Sequence, residues 1–115
     1  MPRNMSFFYT QDQIKSKTKT VTRRLGWWFL KAGDVVMACE KCQGLKKGEK
    51  INKLKPIRIV SSYGEHLDEI TQSDTVKEGF ILSRLDFIDM FCREMKCSPY
   101  TIVNRIEFEY IKDKT

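Results

Sequence analysis

Along this chain, apolar residues come mostly in short runs with alternating or continuous spacing, separated by polar turns, and a clear helical stripe emerges only in the C-terminal half. Met5 to Tyr9 reads as a first short strand. Thr10 then stands where an N-cap is needed for a short helix, Gln11 to Ser16, with Asp12 in its first turn and Ile14 as its core anchor. The stretch from Lys15 to Arg24 is rich in Thr and Val and is strand-prone. Lys31-Ala32-Gly33-Asp34 reads as a turn, and Val35 to Cys39 is a continuous apolar run suited to a buried strand. Gln43 to Lys53 is polar, contains Gly44 and Gly48, and reads as a mobile basic loop between strands. Leu54 to Tyr63 alternates and predicts a strand with an irregular start at Pro56.

Two helices follow. Thr71 with Asp74 resembles a capping box opening Gln72 to Glu78, which Gly79 ends. Ser83 with Asp86 repeats the signal for Arg84 to Met95, where Leu85, Ile88, Phe91, Cys92 and Met95 form the stripe expected to pack on the core. Ser98-Pro99 breaks that helix, Thr101 to Ile111 is the closing strand, and Lys112 to Thr115 are expected to fray. Five or six strands, two or three short helices and no βαβ alternation predict an α+β fold built on a small β-barrel, with residues 1–115 forming a single domain.

Charge narrows the function classes. The formal net charge is +6 and the sequence pI about 9.2, which favours an anionic partner, nucleic acid or a nucleotide-like ligand. No apolar run is long enough to span a membrane, and the N-terminal residues lack the pattern of a signal peptide, so a cytoplasmic location and no membrane partner are expected. Cys39 and Cys42 form a C-x-x-C and Cys92 and Cys97 a wider pair, but Cys39 falls in a strand and Cys92 in a helix, with no zinc-knuckle turn around either pair. They are read as small buried hydrophobes, and no metal site is assigned.

Lys19-Thr20-Val21-Thr22-Arg23-Arg24 is the densest candidate for chemistry. A buried Lys19 amine near other cations loses its proton more easily and then activates the Thr22 hydroxyl as a nucleophile. The missing acid–base carboxylate has a plausible supplier in Glu78. Residues three apart on a regular strand point to opposite faces, so Lys19 and Thr22 are expected to converge only if a bulge or turn interrupts the strand near Thr20 and Val21. The competing reading is a solvated basic strand edge. Arg23 and Arg24 suit phosphate contacts, and Trp27, Trp28 and Phe29 suit base stacking, with one tryptophan expected to be buried. Lys41, Lys46 and Lys47, with Lys50 and Lys53, add a basic surface for RNA. His66 reads as a surface residue, and a lone histidine excludes a two-histidine cleavage mechanism.

In order, the chain presents Lys-Thr-x-Thr-x-Arg (Lys19 to Arg24), Lys-x-Gly-Asp-Val (Lys31 to Val35), Ile-Thr-x-x-Asp-x-x-x-Glu-Gly-Phe (Ile70 to Phe80) and Ile-Glu-Phe-x-Tyr (Ile106 to Tyr110). This order resembles the ASCH domain family over roughly residues 5 to 111. The resemblance implies a PUA-like β-barrel with a cleft for RNA or a nucleoside. The chain is most similar to short bacterial and phage members. In one bacterial branch a lysine, a threonine three residues later and a glutamate hydrolyse N4-acetylcytidine to cytidine and acetate, and the matching positions here are Lys19, Thr22 and Glu78. No cofactor is implied. The chain departs from the compact amidohydrolases in its loop from Gln43 to Lys53 and in having Arg23 where they have an aliphatic residue. Other members resemble RNA binders or ribonucleases, so a non-catalytic RNA-binding module and a ribonuclease stand as alternatives.

Overall fold

The computed structural model describes residues 2–42 and 45–112. Gln43 and Gly44 of the predicted basic loop, and Asp113 to Thr115 of the expected frayed tail, lie outside the described residues. Five strands form one sheet: β1 (Arg3–Ser6), β2 (Val21–Arg24), β3 (Val35–Cys39), β4 (Lys53–His66) and β5 (Ile102–Tyr110). Their spatial order is β1-β3-β4-β5-β2, with β1 parallel to β3 and every other pair antiparallel. The sheet curls into a half-barrel whose two edges, β1 and β2, face each other without a ladder between them. The helices are α1 (Gln11–Lys15), α2 (Gln72–Lys77) and α3 (Arg84–Met95).

The alternation of β5 divides the core in two. Ile106 and Phe108 point into the curl, against Met5, Phe7, Ile14, Val36, Ile57 and Ile59. Val103 points to the other face, where Leu67, Ile70, Phe87, Ile88 and Phe91 cover it. A period of two thus carries one strand through both cores, with α3 packed on the outer one. Two of the three predicted helix caps form: the Thr71 hydroxyl accepts from the Asp74 N–H at 3.0 Å, and the Ser83 hydroxyl accepts from the Asp86 N–H at 3.1 Å.

Several boundaries differ from the sequence reading. The first strand is Arg3–Ser6, because Phe8–Thr10 turn into a 3-10 segment. Thr10 is buried and its hydroxyl makes no cap bond to α1. β4 does start irregularly, but at Lys53–Lys55, where the register shifts against Ala38 and Cys39, while Pro56 pairs in register with Met37; a second shift lies between Ile59 and Ser61. On α3 the buried face is Phe87, Ile88 and Phe91, while Leu85 and Met95 are exposed. The stripe is displaced because Phe87, not Leu85, meets Phe80 edge-on, with ring centroids 5.4 Å apart.

Ile106 is fully buried on a strand paired on both sides. Ile106→Ala is expected to lower the unfolding free energy by about 2–5 kcal/mol, read as a lower urea midpoint with an unaltered m value.

Candidate active site

Glu78 caps the C-terminal end of α2, and local geometry holds it there. Gly79 follows with φ 95°, a left-handed conformation that ends the helix. A Cβ at Gly79 would lie 3.0 Å from the Gln13 side chain, so another residue there would strain the left-handed backbone and press Gln13 aside. The Gln13 amide donates to the Gly79 carbonyl at 2.9 Å and the Thr20 N–H to the Lys77 carbonyl at 2.9 Å. These bonds stitch the end of α2 to the segment that carries Lys19.

The Lys19 ammonium donates to the Glu78 backbone oxygen at 2.6 Å and to Glu78 Oε1 at 2.9 Å. Arg23 Nη1 donates to the other carboxylate oxygen, Oε2, at 3.0 Å. The same guanidinium reaches Glu65 Oε1 at 2.6 Å and Asp74 Oδ2 at 2.6 Å. Arg105 grips Asp74 through Nε at 2.7 Å and Nη2 at 3.1 Å. Three cations and three carboxylates therefore share one poorly hydrated cluster, and its net neutrality is what makes burial tolerable. Burial pushes the Lys19 amine below its usual value, against the opposing pull of Glu78. Burial also acts to lower Arg23, but Glu78, Asp74 and Glu65 outweigh it and raise that guanidinium. Hydrogen bonds from Arg105, followed by Arg23, hold the Asp74 carboxyl down at about 2, against desolvation.

Thr22 pairs with Ile106 and so lies on the inner face of the sheet, whereas Arg23 pairs with Arg105 on the helix-bearing face. No bulge interrupts Val21–Arg24, and Lys19 precedes the strand. Lys19 lies in irregular chain before β2, which begins at Val21, so the expected interruption near Thr20 and Val21 is present without a bulge and strand alternation does not govern the pair. β2 is an edge strand, and a gap lies beside it. A cavity of about 200 Å³ sits there, lined by Lys19, Thr22, Arg24 and Glu78 at its polar end. Phe7, Phe80, Phe87 and Phe91 form its apolar wall.

Arg24 spans the gap. Its Nη2 donates to the Ser6 carbonyl at the end of β1 at 2.5 Å, its Nε donates to Thr22 Oγ1 at 3.2 Å, and its guanidinium lies 4.7 Å from the Phe7 ring centroid. Burial lowers its pKa to about 10, still cationic at neutral pH. A cation that donates to the threonine oxygen stabilises negative charge developing there.

The other candidate residues separate. Arg23 is 3% exposed and its guanidinium is held by Glu65, Asp74 and Glu78, so its charge is balanced within the cluster, while its side chain also lines the cavity. Neither tryptophan is fully buried. Trp27 is half-buried against the inner core, and Trp28 is exposed. Trp27 has φ 65°, a conformation that bulky residues rarely adopt. The buried Asn104 amide holds it by donating to the carbonyls of Gly26 at 3.2 Å and Trp27 at 2.9 Å. Lys41 lines a groove beside the cavity, whereas Lys46 and Lys47 are exposed and line neither. His66 is exposed, with Nδ1 2.9 Å from the Tyr100 carbonyl. Cys39 is buried beside Cys42 and its thiol is pushed up to about 11, chiefly by burial, while Cys42, Cys92 and Cys97 are half-buried. No group of three His, Cys, Asp or Glu suited to a metal occurs among the described residues.

Sequence reasoning missed Asp74, Glu65 and Arg105 as parts of this site. Asp74 is legible only as a capping residue, because its meeting with Arg23 on β2 and Arg105 on β5 depends on how α2 packs on the sheet and leaves no local signature.

Asp74 provides a measurable consequence. Its folded value is depressed from 3.8 to about 2, so its contribution is present above pH 4 and is lost as pH falls through 2. The urea midpoint is expected to fall between pH 4 and pH 2 by the equivalent of about 2 kcal/mol. Asp74→Asn is expected to be less stable at pH 6 and to lack that part of the acid limb.

No family model and no curated protein sequence matches the chain. Solved structures do match its fold. Protein EF3133 from Enterococcus faecalis V583, of the DUF984 family, superimposes with a TM-score of 0.70 at 17% identity, over 96% of this chain and 80% of that one. The ASCH domain from Lactobacillus crispatus JV V101 gives a TM-score of 0.63 at 14% identity, over 94% of this chain and 78% of that one. The hypothetical protein PH0355 gives 0.60 at 17% identity, over 96% and 97%. At these identities the likeness concerns architecture. The curled five-stranded sheet with α2 and α3 on its outer face is the ASCH-domain fold, of the PUA-like α+β type.

Proposed function

We propose that the protein is an amidohydrolase that removes the N4-acyl group of a modified cytidine, N4-acetylcytidine being the simplest such substrate. The reading is carried by one observation: Lys19, Thr22 and Glu78, from two separate stretches of chain, line the same cavity, with the Lys19 ammonium seated on Glu78. Glu78 takes a proton from Lys19, whose amine is already disposed to lose it by burial. The neutral amine then accepts the hydroxyl proton of Thr22 as Oγ1 bonds to the acyl carbon. Arg24 faces the charge that develops at the reacting oxygens. The bond from the acyl carbon to N4 breaks, and the proton held by Glu78 passes to the departing nitrogen. Water cleaves the threonine ester, releasing the carboxylic acid and restoring Thr22. The reactive form, neutral Lys19 with protonated Glu78, carries the same number of protons as the resting ion pair, so kcat/KM is expected to be bell-shaped in pH, falling at low pH when both groups hold protons and at high pH when the shared proton is lost.

The apolar wall of the cavity supports the same reading. Phe7 and Phe80 lie with ring centroids 5.9 and 5.8 Å from the Lys19 nitrogen, which keeps bulk water from the amine and leaves an apolar surface for an acyl group. A non-catalytic RNA-binding module draws support from the exposed Lys46, Lys47 and Lys50 instead. It differs in being indifferent to Thr22 and steeply sensitive to salt.

The assay follows the ultraviolet shift on conversion of N4-acetylcytidine to cytidine. Thr22→Ala is expected to lower kcat about a thousandfold or more while the fold and nucleoside binding persist. Lys19→Arg is expected to keep the ion pair with Glu78 and lose turnover, because a guanidinium stays protonated. Undiminished activity in Thr22→Ala would end this assignment.

A further inference from the structure

A second groove, of about 510 Å³, adjoins the cavity and shares Ser6, Phe8, Tyr9 and Arg24 with it. Its remaining walls are Asn4, Trp27, Lys41 and Cys42. Two of the residues lining this groove are cationic and none is a carboxylate. Around the far side of Trp27, a third hollow adds Arg3, again with Arg24 and without a carboxylate. Arg3 lies 4.7 Å from the Phe29 ring centroid, and that ring is 5.5 Å from Trp27. An arc of positive charge, Lys41, Arg24 and Arg3, therefore surrounds one aromatic residue at the mouth of the cavity.

The arc is not neutralised in the way the inner cluster is. Arg23 and Lys19 are each held by carboxylates at 3.0 Å or less. Among the described residues Lys41 forms an ion pair only with Glu49, at 3.8 Å and with both side chains well exposed, a contact that solvent screens and an incoming anion displaces. Among the described residues Arg24 donates only to neutral oxygens, the Ser6 carbonyl and the Thr22 hydroxyl, and Glu78 acts on its charge without a direct hydrogen bond. Trp27 is fixed in its unfavourable left-handed backbone by the buried Asn104, so the aromatic face at the mouth is preset.

We infer that this groove is a phosphate subsite, and that the ligand of the cavity carries a phosphate on its ribose. The inference rests on the cavity taking a cytidine base. With the base and its acyl group in the inner cavity, the ribose leaves along the shared wall past Ser6 and Arg24, and its phosphate lies between Lys41 and Arg24. Trp27 borders the sugar. The substrate is then a nucleotide or an RNA chain rather than a free nucleoside. A free nucleoside has no anion to match this charge.

Calorimetric titrations of the intact protein with cytidine, cytidine 5′-monophosphate, cytidine 3′-monophosphate and a cytidine-centred RNA trinucleotide test this. Inorganic phosphate is titrated in parallel, followed by the amide shifts of Asn4, Trp27 and Lys41. At least one phosphate-bearing ligand is expected to bind about tenfold or more tightly than cytidine at low salt, with the advantage shrinking as salt rises. Lys41→Glu, and more mildly Lys41→Gln, are expected to remove that advantage. A gain with a monophosphate points to a nucleotide, and a gain with the trinucleotide alone points to an RNA phosphodiester; both support the subsite. Cytidine binding with no gain from any phosphate overturns the subsite and leaves the hydrolase reading intact. Failure of every cytidine ligand, together with phosphate shifts that Lys41→Glu abolishes, keeps the subsite and removes the cytidine reading. Silence in all titrations removes both.

Discussion

The pairing of Glu78 with Lys19 and Arg23 is the constraint on which the site depends. Each of the three is 3% exposed, and a single charge at that depth would be costly to bury alone. The carboxylate offers its two oxygens to two different cations, and Arg23 passes the pairing on to Asp74 and Glu65. The cluster therefore fixes where the end of α2 lies relative to β2. It also sets the role of Arg23, whose charge is balanced by the three carboxylates that hold it. Lys19 differs in kind, because its amine can surrender a proton at moderate cost while an arginine cannot.

The second determinant is the unclosed sheet. A half-barrel leaves two edges with unpaired backbone, a feature proteins ordinarily shield. Here the gap between β1 and β2 is bridged by one side chain, Arg24, and lined on either side by Phe7 and Thr22. The open seam gives the cavity its entrance. It also lets residues from opposite faces of β2 reach a common space, which a strand in the middle of the sheet would forbid. No bulge within β2 is needed for Lys19 and Thr22 to line one cavity.

These two features divide the charge of the protein into separate roles. Inside, cations and carboxylates balance and serve geometry. At the mouth, Lys41, Arg24 and Arg3 have no carboxylate among the residues lining their grooves. The Lys46–Lys50 region, the most conspicuous basic stretch in the sequence, stands apart from the cavity. Density of lysine along the chain is a poor guide to where a field is focused, because exposed side chains are screened by water whereas those in a groove are not.

Local patterning was enough to reveal the α+β composition, the capped helices at Gln72 and Arg84, and the strands at Val35 and Ile102, since caps and periodicity act over a few residues. The order of Lys19, Thr22 and Glu78 within recognisable motifs likewise marked them as a set. Tertiary structure alone decided that Arg23 belongs to a buried cluster with Asp74, Glu65 and Arg105, because those partners lie 31 to 51 positions apart in sequence or meet only across the sheet. It alone decided that the barrel stays open between β1 and β2, because strand order depends on which edges are covered and not on any strand's own residues. A sequence states which charges exist; only packing determines which of them lose their water and must find each other.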